Sequence, residues 1–205
     1  MKTILFFLLI LNIYADNAER VWKFFKKHGF TDAGAGGFMG NIDKESGCEP
    51  KKMQHSEEGR VGMKVNEYVS KTNSKKYSRK KFTTDKVGFG LCQWTSQPRK
   101  EKLYDRCVGK IESLSCQLDH LKDELFDWSE YANRYKEMIS ILRKSNNLRE
   151  CVKVVAQTFE KCRKCNTTAE INDRKKRAKK YCKRFTGKDD CEKKKKKKKE
   201  KEKET

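Results

Sequence analysis

The sequence predicts a mainly α-helical single domain with a long polar loop, stapled by disulfides. Three observations carry this. Apolar residues recur at helical spacing through most of the chain. There are only two Pro to interrupt helices. Nine Cys follow an apolar leader, the arrangement of a chain that meets an oxidising compartment. The 205 residues carry 50 Lys and Arg against 29 Asp and Glu, a net charge of +21. That polarity is unevenly spread: residues 192–205 hold nine Lys and four Glu, which leaves +15 on residues 16–191. The body holds almost all the aromatics, so it can build a modest core, and collagen-like, low-complexity and polytopic membrane classes are excluded.

The first element is a leader. Met1-Lys2 is a short basic start, Ile4 to Ile13 is almost wholly apolar, and Ala15 precedes the expected cut. About ten apolar residues are too few for a membrane span, which needs roughly 20. Residues 1–15 are therefore expected to be a cleaved secretory signal peptide. Residues 16–191 then form the domain, and 192–205 a solvated, disordered Lys/Glu tail. The protein is expected to be secreted and extracellular, a lumenal digestive compartment included. Its odd Cys number leaves at least one thiol without an internal partner. Cys162-Arg163-Lys164-Cys165 reads as a structural bridge rather than half of a zinc site, because no His lies nearby. Asn166-Thr167-Thr168 is a glycosylation sequon, meaningful in a host that modifies secreted chains.

The helices follow in order. Asp16 or Asn17 caps a first helix from about Ala18 to His28, stopped by Gly29. Thr31 or Asp32 starts a second, running to about Ser46 with Gly47 as its stop. Gly34, Gly36, Gly37 and Gly40 lie inside it, each costing about 1 kcal/mol against Ala. A helix tolerates this where another backbone comes very close, so it is expected to be central. Residues 51–88 are Lys-rich and broken by Gly and Ser, predicting a long loop with one short helix around Val65 to Ser70. Further helices are expected over Pro98–Cys107, Ser115–Leu125, Tyr131–Lys144, Leu148–Phe159 and Ile171–Phe185.

The chemistry converges on Glu45. Around the helix axis it falls about 20° from Phe38 and about 60° from Ile42, on the margin of the apolar stripe and in the last turn. Desolvation there and the negative end of the helix dipole both disfavour its ionised form. A carboxyl that keeps its proton near neutrality is what protonation of a glycosidic oxygen requires.

Two stretches strengthen that reading. Ala35 to Pro50 reads Ala-Gly-Gly-Phe-Met-Gly-Asn-Ile-Asp-Lys-Glu-Ser-Gly-Cys-Glu-Pro, and Val87 to Trp94 reads Val-Gly-Phe-Gly-Leu-Cys-Gln-Trp. Together they resemble the phage-tail-type lysozyme family, whose members carry a Gly-Asn-Ile-x-x-Glu-Ser-Gly helix end and an aromatic-Gly-Leu-x-Gln-Trp-Thr motif. The resemblance continues through Arg99-Lys100-Glu101, Gln117-Leu118-Asp119, Arg177-Ala178 and Tyr181, and covers roughly residues 17–186. It implies a lysozyme-like, mainly α (α+β) fold and cleavage of the β-1,4-linked glycan strands of bacterial peptidoglycan, with Glu45 at the general-acid position.

Gln93 and Trp94 match the motif that lines the family's cleft. Trp94 is expected to stack on a sugar ring or to pack in the core, and Gln93 to offer a donor and an acceptor to an acetamido group. Phe89, between Gly88 and Gly90, is expected in a tight turn beside the cleft. Asn41, one turn before Glu45, is a candidate to hydrogen-bond its carboxyl or merely to cap a loop. For a second carboxylate, Asp85 is the first choice, with Glu57 and Glu58 as alternatives. Hydrolysis is preferred over a transglycosylase route that forms an anhydro sugar. The chain departs from the family pattern by its Cys, with Cys92 inside the signature itself.

No metal or organic cofactor is suggested. The basic body would be drawn to peptidoglycan and anionic wall polymers, less so at high salt. No nucleic-acid-reading motif is present, so no specific nucleic-acid partner is expected, and the protein is expected to act as a monomer. Three rival readings are a non-enzymatic cationic antimicrobial, an inactive peptidoglycan-binding module, and a cysteine peptidase pairing Cys48 or Cys92 with His55 or His120.

Overall fold

The computed structural model describes residues 17–54 and 58–191. The expected signal peptide, the Lys/Glu tail, His55 and Glu57 lie outside the described residues, as does the Glu58 side chain. The protein is 68% helical, forms one domain, and carries three disulfides. The mainly α expectation is met, and its β component is reduced, among the described residues, to isolated bridges joining Phe89 to Met53 and to Trp94.

Helix α1 covers 17–27. Helix α2, Asp32–Ser46, begins where the Thr31 hydroxyl accepts the Gly34 N–H at 2.9 Å, and it ends at Gly47 with φ +68°. The cap satisfies one orphan donor, and a left-handed stop suits glycine. The central position inferred from its glycines is observed: α2 packs on both α9 (Leu148–Val155) and α10 (Thr168–Thr186). A Cβ on Gly37 would stand 2.6 Å from Cys151 Cβ, and one on Gly40 would stand 2.5 Å from the Arg174 carbonyl oxygen. Both neighbours approach closer than any other side chain permits. On its far side Phe38 stacks on Phe25 at 4.5 Å and meets Phe159 edge-on at 5.1 Å. Burying such a ring contributes about 1.5–3 kcal/mol.

The segment expected as a long loop is more structured than its composition suggests. It contains α3 (Glu58–Val61), α4 (Val65–Asn73) and α5 (Arg79–Thr84). Tyr68, Val69 and Phe82 from these helices are buried, and Phe82 and Tyr68 pack on Phe89. The apolar residues are few but converge, and Lys100 joins them from α6 (Gln97–Cys107). Its buried ammonium donates to Asp85 Oδ1 at 2.5 Å, to the Val87 carbonyl at 3.0 Å and to Tyr68 Oη at 3.1 Å.

Helix α7 spans Leu114–Lys122 and α8 spans Ser129–Lys144. The buried Tyr131, Tyr135, Met138 and Leu142 give α8 the inward stripe of an amphipathic helix. The expected helices Ser115–Leu125 and Leu148–Phe159 each finish differently from a regular helix. Both turn into a single π-helical turn, over Asp123–Asp127 and Ala156–Glu160. Such turns widen the backbone and re-aim side chains, and they concentrate at functional sites.

Cys107–Cys116 ties α6 to α7, Cys182–Cys191 anchors the end of α10, and Cys162–Cys165 closes a short hairpin. The last is the structural bridge expected of that motif. Cys48, Cys92 and Cys151 are free and buried. Among the described residues no helix is long and apolar enough to cross a membrane.

Candidate active site

The end of α2 carries Glu45 to the wall of a cleft of about 860 Å³. Gln93, Thr95, Arg99, Tyr131, Tyr135 and Glu160 line it with Glu45. The volume is that of an ordinary ligand site. A smaller hollow of about 330 Å³, lined by Lys44, Arg163, Glu170 and Arg174, also reaches Glu45. The carboxyl therefore separates two spaces.

Glu45 is held from α10. Arg174, 2% exposed, donates from Nη2 to Glu45 Oε1 at 2.7 Å. The same guanidinium donates to Asn41 Oδ1 and to Glu170 Oε1, each at 2.9 Å. Asn41 is itself fixed by donating Nδ2 to the Gly37 and Val152 carbonyls. Asn41 thus reaches the acid through Arg174 rather than directly, which corrects its expected role. A planar guanidinium bound on three sides has one orientation, so Glu45 is held against a rigid support.

The other sequence candidates divide. Gln93 lines the cleft in a left-handed conformation, φ +46°. Its amide nitrogen donates to the Lys52 and Gly90 carbonyls, both at 3.1 Å. Trp94 does not face the cleft. It is fully buried, donates Nε1–H to Glu124 Oε2 at 2.9 Å, and meets the His120 ring edge-on at 4.8 Å. Core packing is its role, because a buried indole with its N–H satisfied has no face left for a sugar. Phe89 is likewise buried against Tyr68 and Phe82, away from the cleft lining. Asp85 lies outside the cleft lining as well: Lys100, Tyr68, Tyr77 and the Val87 N–H occupy both its oxygens. A carboxylate so fully bonded serves as an anchor, not as a holder of water.

The structure instead brings Glu160 into the cleft, a residue the sequence offered no reason to single out. It ends the π turn, and Lys161 follows at φ +50°. Its Oε1 is buried and without a hydrogen-bond partner among the described residues. Burial, with the nearby Glu45 charge as the next cause, pushes the Glu160 carboxyl up to about 8, while Arg99 and Arg174 oppose the rise. Arg99 forms an ion pair with the buried Glu124 at 2.7 Å and stacks over Phe159 at 4.6 Å. Glu124 also accepts from Trp94 and from Tyr135 Oη at 3.3 Å. Arg174 thus binds Glu45 directly, while Arg99 and Glu160 bring further charge to the same cleft.

The cysteine-peptidase pairing gains nothing from this geometry. Burial pushes the Cys48 thiol up to about 12 and raises that of Cys92. Neither ring nitrogen of buried His120 has a hydrogen-bond partner among the described residues. A thiol whose proton affinity is raised by burial stays protonated and inert.

A helical domain with a cleft carboxyl at the end of its glycine-rich central helix matches a known class. The family profile described as phage tail lysozyme covers residues 16–185, and the chain belongs to that family. No curated protein and no solved structure matches the chain significantly. Membership makes this a lysozyme-like domain and implies bacterial peptidoglycan as the substrate.

Proposed function

We propose that this protein is a secreted lysozyme-like glycoside hydrolase that cleaves the β-1,4-linked glycan strands of bacterial peptidoglycan, with Glu45 as general acid. The observation that carries the reading is the position of Glu45, at the end of α2 on the cleft wall, in the residue pattern of a family it belongs to. Arg174 fixes one carboxyl oxygen, and the other carries the proton to the glycosidic oxygen. Tyr131 and Tyr135 line the cleft from α8 with little of their rings exposed, and Gln93 keeps its amide oxygen for an acetamido N–H. Secretion is supported by the three disulfides.

Hydrolysis is favoured over the anhydro-forming route because the cleft contains a second carboxyl, Glu160, able to hydrogen-bond a water. The one-carboxyl transglycosylase chemistry has no use for it. The test is turbidity clearing of purified peptidoglycan by wild type and E45Q. The variant is expected to fold normally and to lose at least about a hundredfold in rate, the usual scale of general acid catalysis. Equal clearing by both proteins would remove Glu45 from the mechanism. Mass analysis of the released muropeptides then separates the two routes, since hydrolysis adds a water that the anhydro products lack.

A further inference from the structure

We propose that the smaller hollow beside Glu45 is a subsite for an acidic peptide: Arg163 and Lys164 bind a carboxylate of the peptide stem that branches from a glycan strand held in the main cleft. This rests on the glycosidase reading above and assigns a part of the substrate that the cleft alone does not address. The hollow of about 330 Å³ and the cleft share Glu45 and Cys162 in their walls. A strand whose scissile bond lies at Glu45 therefore has the hollow next to that bond. In peptidoglycan the branch nearest the bond is the stem peptide, carried on the lactyl ether of every second sugar, and it bears free carboxylates.

Charge decides what the hollow takes. Arg174 is engaged by Glu45 at 2.7 Å and by Glu170 at 2.9 Å. Lys44 is engaged by Asp173 at 2.7 Å and stands 4.0 Å from Glu170. Within the lining, these two cations balance the two carboxylates of Glu45 and Glu170. Arg163 and Lys164 are left over. Both are exposed, and their side chains have no ion-pair or hydrogen-bond partner among the described residues. Such an excess of positive charge selects an anion, and the flat fork of an arginine suits a planar carboxylate.

The two cations are also positioned in advance. They occupy the central places of a tight turn, Cys162 to Cys165, closed both by the disulfide and by the Cys165 N–H, which donates to the Cys162 carbonyl at 3.0 Å. The Thr167 N–H and hydroxyl both donate to the Lys164 carbonyl, at 2.9 Å and 3.0 Å. Arg174 Nη2 reaches Cys162 Sγ at 3.7 Å, which ties the turn to the guanidinium that holds Glu45. A turn closed twice has little backbone freedom left to lose on binding.

The test uses the full protein on three substrates: peptidoglycan freed of phosphate polymers, the same material with its stem peptides removed by an amidase, and walls that keep their phosphate polymers. The variants are R163Q/K164Q, which retains the closed turn, and K136Q/K144Q, a charge-matched control on α8 outside both spaces. On phosphate-free strands with intact stems, R163Q/K164Q is expected to lose about tenfold in kcat/KM, carried by KM with kcat within about twofold, as lost uniform binding requires. On stripped strands it should coincide with wild type, and the control should follow wild type throughout. An equal loss on intact and stripped strands, or an equal loss in the control, would overturn the proposal in favour of general attraction to a polyanion. A loss confined to walls with phosphate polymers would also overturn it, giving the hollow to a phosphate.

A second readout needs no cleavage: NMR titration of the protein with the free acidic stem tetrapeptide and with its carboxyl-amidated form. Shifts centred on Lys44, Arg163, Lys164 and Arg174, absent in R163Q/K164Q and absent with the amidated peptide, support the subsite. Should they appear in a protein that cleaves no wall, the glycosidase reading fails and the subsite stands. Should cleavage proceed while the peptide moves no resonance there, the subsite fails and the glycosidase reading stands.

Discussion

Asp85 and Glu160 are both half-buried acidic residues, and the difference between their surroundings separates architecture from chemistry. Asp85 has both oxygens occupied: Lys100 and the Val87 N–H bind Oδ1, and the Tyr68 and Tyr77 hydroxyls donate to Oδ2. Asp85 does not line the cleft that holds Glu45. Glu160 Oε1 has no hydrogen-bond partner among the described residues, and the side chain lines a cavity that Glu45 lines too. The first arrangement consumes its hydrogen-bonding capacity in holding the α4–α5 lobe to α6. The second keeps capacity in reserve, which only a ligand or a moving proton can use.

Substitutions can break this contrast. The largest effect is expected for K100M, which strands the Asp85 charge in the core. Loss of one partner of a buried pair typically costs about 3–5 kcal/mol. Denaturant unfolding would read it, and the cleavage rate per folded molecule at pH 7 should stay near wild type. A large change in the pH–rate profile of K100M would erase the distinction drawn here.

R174K comes next. It keeps a positive charge beside Glu45 but loses the planar fork that binds Asn41, Glu170 and Glu45 together. A turnover loss of about tenfold, equal to about 1.4 kcal/mol, is expected with little change in thermal midpoint. Kinetics and a melting curve on the same preparation decide it.

A smaller effect concerns His120, wedged between Trp94 and Trp128. Burial, aided by Arg99, Arg106 and Lys102, holds its proton affinity well below normal, so it stays neutral in the fold. The unfolded chain takes up that proton near pH 6.5. The unfolded state therefore binds more protons below that pH, and this contribution to stability fades as pH falls from about 6.5 toward the folded value. H120F should remove on the order of 1 kcal/mol of the stability difference between pH 7 and pH 5. Urea midpoints at the two pH values measure it, and an unchanged difference would mean that His120 is not the sensor.

Local signals explain what was readable beforehand. Thr31 and Gly47 bracket α2 because capping depends on neighbours within a turn, and the glycines between them announced close helix contacts. Glu45 was legible for the same reason, since a helix end and an apolar stripe are short-range features. The 51–88 segment was not, because Tyr68 and Phe82 find their partners in Phe89 and Lys100, across the loop. Trp94 stays open in sequence between sugar platform and core packing for the same reason, and Glu124 and His120, which enclose it, decide for the core. Glu160 and Arg174 carry no local mark at all in a chain so rich in charge. Their meaning arises only when α9 and α10 fold back on α2.

Gly40 and Glu45 sit on one helix, and the backbone that crowds Gly40 belongs to Arg174, whose side chain steadies Glu45. A single methyl at position 40 would wedge the two helices apart and carry the guanidinium away with them. The orientation of Glu45 is thus tuned by an absence of atoms, one turn and more away from the carboxyl itself.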